Sequence, residues 1–104
     1  MGKKIPVIKS DRYILYIENY CDSLFIHCDV FKWNIRTRKS LEVALNKLLE
    51  FYQKDLYALH ENTQDNKHKK FLEIFGFKLY SEEIGLDGLV HQVWRVKNKT
   101  KEIK

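Results

Sequence analysis

The sequence predicts an α/β domain with a single mixed sheet and the element order β-β-α-β-α-β-β. Three patterns carry that expectation. Residues 12–33 hold two β-rich runs separated by turn residues, Cys21-Asp22-Ser23. Residues 41–53 place Leu41, Ala44, Leu45, Leu48, Leu49 and Tyr52 at helical spacing. After them a short apolar strand, a short helix and two further strands follow within residues 55–96. The chain has 104 residues, which fits one domain, and its 44% hydrophobic and 13% aromatic content exceeds that of a disordered segment.

The elements follow in order. Residues 1–11 read as a basic, extended lead-in, because Pro6 opposes a helix. Residues 12–97 read as the domain, and 98–104 as a charged tail. Arg12 to Tyr20 is the first strand. Leu24 to Trp33 is the second, with Leu24, Ile26, Cys28 and Val30 on one face and Phe25, His27, Asp29, Phe31 and Trp33 on the other. The short connection makes these two an antiparallel hairpin. Asn34 to Lys39 reads as a polar, basic connection, and Ser40 as the N-cap of the helix at Leu41 to Gln53. Glu42 then falls near the positive end of that helix. Asp55 to His60 fits a central strand reached by a crossover. A second helix over about Asn66 to Phe75 buries Phe71, Leu72 and Phe75, and Gly76 takes the C-terminal position that favours positive φ. Phe77 to Ser81, a turn at Gly85 to Gly88, and Leu89 to Val96 complete the sheet.

Charge and titratable residues exclude several chemistries. Cys21 and Cys28 are not a CxxC pair and read as reduced, structural thiols. The four histidines, His27, His60, His68 and His91, fall on different expected elements, so no metal site is expected. No apolar run reaches the roughly 20 residues of a membrane span. The formal net charge of +5 comes from lysines interleaved with acids, a pattern typical of a solvated surface.

The order of elements, together with Asp65-Asn66-Lys67-His68-Lys69-Lys70-Phe71-Leu72-Glu73-Ile74-Phe75-Gly76-Phe77, resembles the C-terminal half of the GNAT (Gcn5-related N-acetyltransferase) fold over residues 13–97. More narrowly, Leu24 to Asp29, Arg36 to Ser40 and His68-x-x-Phe71-Leu72-x-x-x-Gly76 are similar to truncated GNAT-like proteins of short-tailed bacteriophages. The resemblance implies a pyrophosphate loop of the pattern Arg/Gln-x-x-Gly-x-Gly/Ala before the long helix. There, main-chain amides meet phosphate without a Cβ in the way. Here the matching segment is Thr37 to Glu42, and Arg38, Ser40 and Glu42 take the glycine places. Leu72 stands where many members carry a proton-donating Tyr, and Tyr57 or Tyr80 replaces it only by accident of geometry.

Those departures put a non-catalytic interaction or structural module first, with no cofactor, a protein partner or second copy, and a cytoplasmic or phage-particle location. Phe25, Phe31, Trp33 and Trp94 are the expected interaction surface, with ordinary core packing as their other reading. The alternative is a minimal acetyl-CoA-dependent N-acetyltransferase. It would grip phosphate with Arg36, Arg38, Lys39 and Ser40, together with Asp65 and Asn66, and its catalytic residues are not assigned. His27, Asp29 and Glu18 lie on adjacent strands and form a face able to host a base. A second alternative is a nucleic-acid-binding module using Arg36, Arg38, Lys39, Lys67, Lys69 and Lys70.

Overall fold

A computed structural model describes residues 3–61 and 65–98. It contains β1 (Ile5–Lys9), β2 (Tyr13–Tyr20), β3 (Ser23–Val30), α1 (Ile35–Tyr52), β4 (Leu56–His60), α2 (Asn66–Ile74), β5 (Lys78–Ile84) and β6 (Val90–Val96). The strands form one mixed sheet in the order β1-β2-β3-β4-β6-β5. The expected order is present with one addition: part of the lead-in becomes strand β1, antiparallel to β2. Pro6 is accommodated because β1 is an edge strand, where a missing N–H breaks no second ladder. The expected tail also begins late. Asn98 is buried and its amide donates to Asp55 Oδ1 at 2.8 Å, while residues 99–104 lie outside the described residues.

The β2–β3 hairpin closes on Cys21 and Asp22, whose φ angles are +52° and +65°. Positive φ at both central residues gives a turn whose twist matches the flanking strands. After Val30 the chain leaves the sheet, so Phe31 to Trp33 are loop rather than strand.

Helix α1 starts at Ile35, well before Leu41, and Asn34 rather than Ser40 is its N-cap. The Asn34 side chain accepts from the Thr37 amide at 2.9 Å. Thr37 is fully buried, and its hydroxyl donates to Lys32 O at 2.7 Å, pinning the loop to the first turn. Ser40 is spent elsewhere: its hydroxyl lies 2.6 Å from the Tyr13 hydroxyl. Glu42 consequently sits beyond the first turn, outside the reach of the helix dipole. Gln53 ends the helix at φ +56°, its amide donating to Leu49 O.

One core joins the two helices to one sheet face. Leu41, Ala44, Leu45 and Leu48 of α1 and Leu72 of α2 pack with Leu15, Leu24, Ile26, Leu56, Ala58 and Trp94. Trp94 is only 5% exposed, which corrects its expected place on an interaction surface. The reason is topological: β6 lies between β4 and β5, so a residue on its helix-side face is central. The opposite face, which carries Phe25, His27 and Tyr57, has no helix over it among the described residues. No helix among the described residues is long and apolar enough to cross a membrane.

Helix α2 is tied to β4 by two imidazoles. His60 Nδ1 and His68 Nδ1 lie 2.7 Å apart, and His60 is 1% exposed. Burial, then the neighbouring His60, hold His68 below the usual histidine range, against a smaller opposing pull from Asp65. Folding therefore favours neutral His68. Its contribution to stability is complete above the unfolded pKa of about 6.5 and is lost as pH falls through the lower folded value. Thermal melts should thus show a lower Tm at pH 5.5 than at pH 7.5, with the difference reduced in His68→Gln. Gly76, at φ +84°, ends the α2 segment, and the nearest heavy atom to an added Cβ is 3.8 Å away. Gly76→Ala should cost about 1–2 kcal/mol from left-handed strain alone, measured by urea unfolding.

Candidate functional site

The parallel pair at the centre of the sheet opens into a cleft. β3 and β4 pair only at Leu24–Leu56 and Phe25–Tyr57. Beyond that point β3 stays paired with β2 to Val30, and β4 stays paired with β6 to His60. Each strand keeps its outer partner and loses its inner one. The facing edges of Ile26–Val30 and Ala58–His60 therefore carry unpaired main-chain donors and acceptors, groups that seek an extended ligand.

A cavity of about 640 Å³ occupies this opening. Ile26 to Val30 and Ala58–Leu59 form its strand walls, Leu41 and Leu45 of α1 its floor, and Asp65, Lys67, His68 and Phe71 of α2 one side. At Val30, Lys67 and Phe71 it adjoins an apolar groove of about 580 Å³ that adds Trp33, Lys70 and Ile74. Trp33 lies against Phe71 and Phe75, with ring centroids 5.8 and 6.3 Å away. Lys67 and Lys70 line the groove, and no acid does among the described residues.

Two polar groups flank the opening on the helix-free face. His27 Nε2 and Glu18 Oε1 lie 2.8 Å apart, with only 20% and 12% of their side chains exposed. The Tyr16 hydroxyl donates to Asp29 Oδ2 at 3.0 Å, and that bond raises the Tyr16 pKa, so Tyr16 stays protonated. The structure thus brings together the three residues, Glu18, His27 and Asp29, that the sequence placed on adjacent strands. On the same face Phe25, Tyr57 and Tyr80 form a row, with centroids 5.6 and 5.4 Å apart, and the Arg95 guanidinium lies 4.4 Å over Tyr80. Cys28 points into the cleft, but burial and then Asp29 push its pKa up to about 12. A thiol held so high is a poor nucleophile near neutral pH.

The phosphate candidates are redistributed. Arg36, Arg38 and Lys39 are exposed on α1 and line none of these cavities. Ser40 bonds Tyr13, Asp65 caps α2 by accepting from the His68 amide at 3.1 Å, and Asn66 is an exposed first residue of that helix. The segment expected to be a loop, Thr37 to Glu42, is helix, and its amides are committed: Thr37 to the Asn34 side chain, Arg38 to Asn34 O at 3.0 Å. Of the expected interaction residues, Phe31 and Trp33 are 61% and 48% exposed, whereas Phe25 is half-buried between Tyr20 and Tyr57. Sequence reasoning missed His60 and His68 as a pair, because only the packing of α2 beside β4 brings them together.

No protein-family model matches the chain, and no curated protein matches it by sequence. Two solved structures share its fold. The ribosomal-protein-S5-alanine acetyltransferase from Vibrio fischeri superposes with a TM-score of 0.65 at 13% identity, over 84% of this chain and 54% of that one. An acetyltransferase of the GNAT family from Bacillus anthracis gives a TM-score of 0.67 at 11% identity, over 90% of this chain and 65% of that one. The chain spans less than two thirds of either neighbour, and the likeness establishes a GNAT-type fold.

Proposed function

We propose that the chain is an acetyltransferase-like module that takes an acetyl thioester, in the form of acetyl-CoA, into the cleft between β3 and β4 and passes the acetyl group to an amine. The observation that carries this reading is the divergence of the two strands after Phe25 and Tyr57. A thioester arm bearing amide groups suits open strand edges, because each edge supplies alternating N–H and C=O partners. The donor set fits the rest of the molecule in a changed manner. The first turn of α1 offers no glycine cradle, so side chains must meet the phosphates, and Lys67 and Lys70 stand beside an acid-free apolar groove.

When bound, acetyl-CoA supplies a carbonyl activated by its sulfur. In the transfer, the amine nitrogen bonds to the carbonyl carbon, the carbon–sulfur bond breaks, and the proton lost by nitrogen ends on sulfur. His27, 2.8 Å from Glu18 on the helix-free face, is our candidate to take that proton from nitrogen and hand it on to sulfur. The carboxylate orients the ring. Cys28 remains a thiol, so direct transfer to the amine fits better than an acyl-cysteine route.

A second reading, a non-catalytic interaction module such as a phage-particle component, draws on the committed amides of α1 and on exposed Phe31 and Trp33. The two readings separate on one titration. Acetyl-CoA should raise the Tm and bind with measurable heat, since a ligand selective for the native state stabilises it by mass action. Absence of both at millimolar ligand would favour the interaction module. Reversing the charges in Lys67→Glu with Lys70→Glu should weaken acetyl-CoA binding by roughly tenfold or more at low salt, and less at high salt. In a thiol-release assay Glu18→Gln should lower turnover by about 10²-fold while leaving acetyl-CoA affinity near the parent value.

A further inference from the structure

The His60–His68 contact fixes which ring nitrogen of His68 is left for another partner. The two Nδ1 atoms are 2.7 Å apart, so one carries the proton and the other accepts it. The choice between them follows from the far side of His60. Its Nε2 is buried and has no hydrogen-bond partner among the described residues. Were His68 the donor, neutral His60 would carry its proton on Nε2, leaving a buried N–H with no acceptor. A buried unpaired N–H forfeits a full desolvation penalty and is rarer than an unpaired acceptor. The favoured arrangement therefore has His60 Nδ1–H donating to His68 Nδ1. Neutral His68 must then hold its own proton on Nε2.

His68 lines the cleft while His60 lines a different cavity, beside Glu73, Gln92 and Trp94. With Nδ1 occupied, Nε2 is the nitrogen His68 has left for a ligand. Resting on the acyl-transfer reading, we infer that His68 presents a neutral, tautomer-locked Nε2–H to the carbonyl oxygen of the thioester, with His60 as its positioning residue. Negative charge gathers on that oxygen as the amine nitrogen bonds to carbon, and it returns to the carbonyl when the carbon–sulfur bond breaks. A donor already aimed there stabilises the charge without reorganising. Burial keeps the ring neutral, so it offers a hydrogen bond rather than a charge. The other charged or titratable groups that line the cleft are Lys4, then His27, Cys28 and Asp29 of β3, and Asp65 and Lys67 at the start of α2.

The first test is spectroscopic and needs no turnover. Two-bond ¹H–¹⁵N correlation spectra of the ¹⁵N-histidine-labelled protein at pH 7.5 should show His68 protonated on Nε2 and His60 on Nδ1. A His68 protonated on Nδ1 would overturn the assignment. The second test is kinetic, with acetyl-CoA and poly-L-lysine. His68→Phe should lower kcat by about 10²-fold with little change in KM for acetyl-CoA, and His68→Gln, which retains an N–H donor, should recover most of it. Full turnover in a folded His68→Phe would remove the role of His68 and leave the acyl-transfer reading standing. Saturable acetyl-CoA binding with unchanged affinity in His68→Phe is expected as well. No binding by the parent protein would overturn the reading and the role together.

Discussion

The structure depends on a junction only two residue pairs long. Leu24–Leu56 and Phe25–Tyr57 are where the half-sheet built on β2–β3 meets the half-sheet built on β4–β6–β5. Each half is paired along its own outer edge, so each follows its own right-handed twist, and twist alone separates strands that are not stitched together. What keeps the opening from closing is the set of side chains beneath it. Leu41 and Leu45 of α1 and Phe71 and Leu72 of α2 line the gap and occupy the depth that a continued ladder would need to flatten over. The packing that makes the core also makes the cleft, and the functional reading follows from unpaired strand edges rather than from a motif.

Much of this was legible in the sequence, and the misses share a cause. The apolar stripe of α1, the alternation of β2 and β3, and the glycine after α2 are local patterns, and they appear where periodicity places them. The start of α1 was misplaced because Ser40 satisfies the local rule for an N-cap. Its hydroxyl is taken by Tyr13, a residue distant in sequence, while Asn34 and Thr37 perform the capping inside a stretch that reads as a loop. Alternation leaves Trp94 open between an interaction surface and the core because strand order is not written in it: one place inward in the sheet makes the indole a core residue. Of the site, the Glu18, His27 and Asp29 face could be read from strand spacing. The His60–His68 contact could not, since it needs α2 packed beside β4 to bring two unrelated periodicities together.

The four histidines illustrate how one side chain serves several chemistries. His27 faces the Glu18 carboxylate at 2.8 Å on the helix-free side. His91, beside Asp87 and Glu61, sits at the exposed β5–β6 turn. His60 and His68 face each other across a partly buried contact with no carboxylate bonded to either ring among the described residues, where a second positive charge would meet both desolvation and repulsion. On the acyl-transfer reading, His27 as proton acceptor on one face and His68 as neutral N–H donor on the other would give the cleft the polarity that transfer to an amine requires, because the step moves a proton off nitrogen while charge collects on oxygen.

The altered helix start bears on how phosphate would be recognised. A main-chain cradle presents fixed amides at a helix N-terminus and pays little conformational entropy when an anion arrives. In this chain the Asn34 cap and the Thr37 bonds to the loop consume that capacity to begin α1 early. Lys67 and Lys70 are long, rotatable and on a different helix. Binding through them loses side-chain entropy and depends on screening, so affinity for a phosphorylated ligand falls with ionic strength more steeply than for a backbone cradle. On the proposed reading such a site would still orient the acyl end, because the strand edges, not the phosphates, would set where the carbonyl lies. Phosphate grip and acyl positioning would then fall to different elements, and the second does not need the glycines of the first.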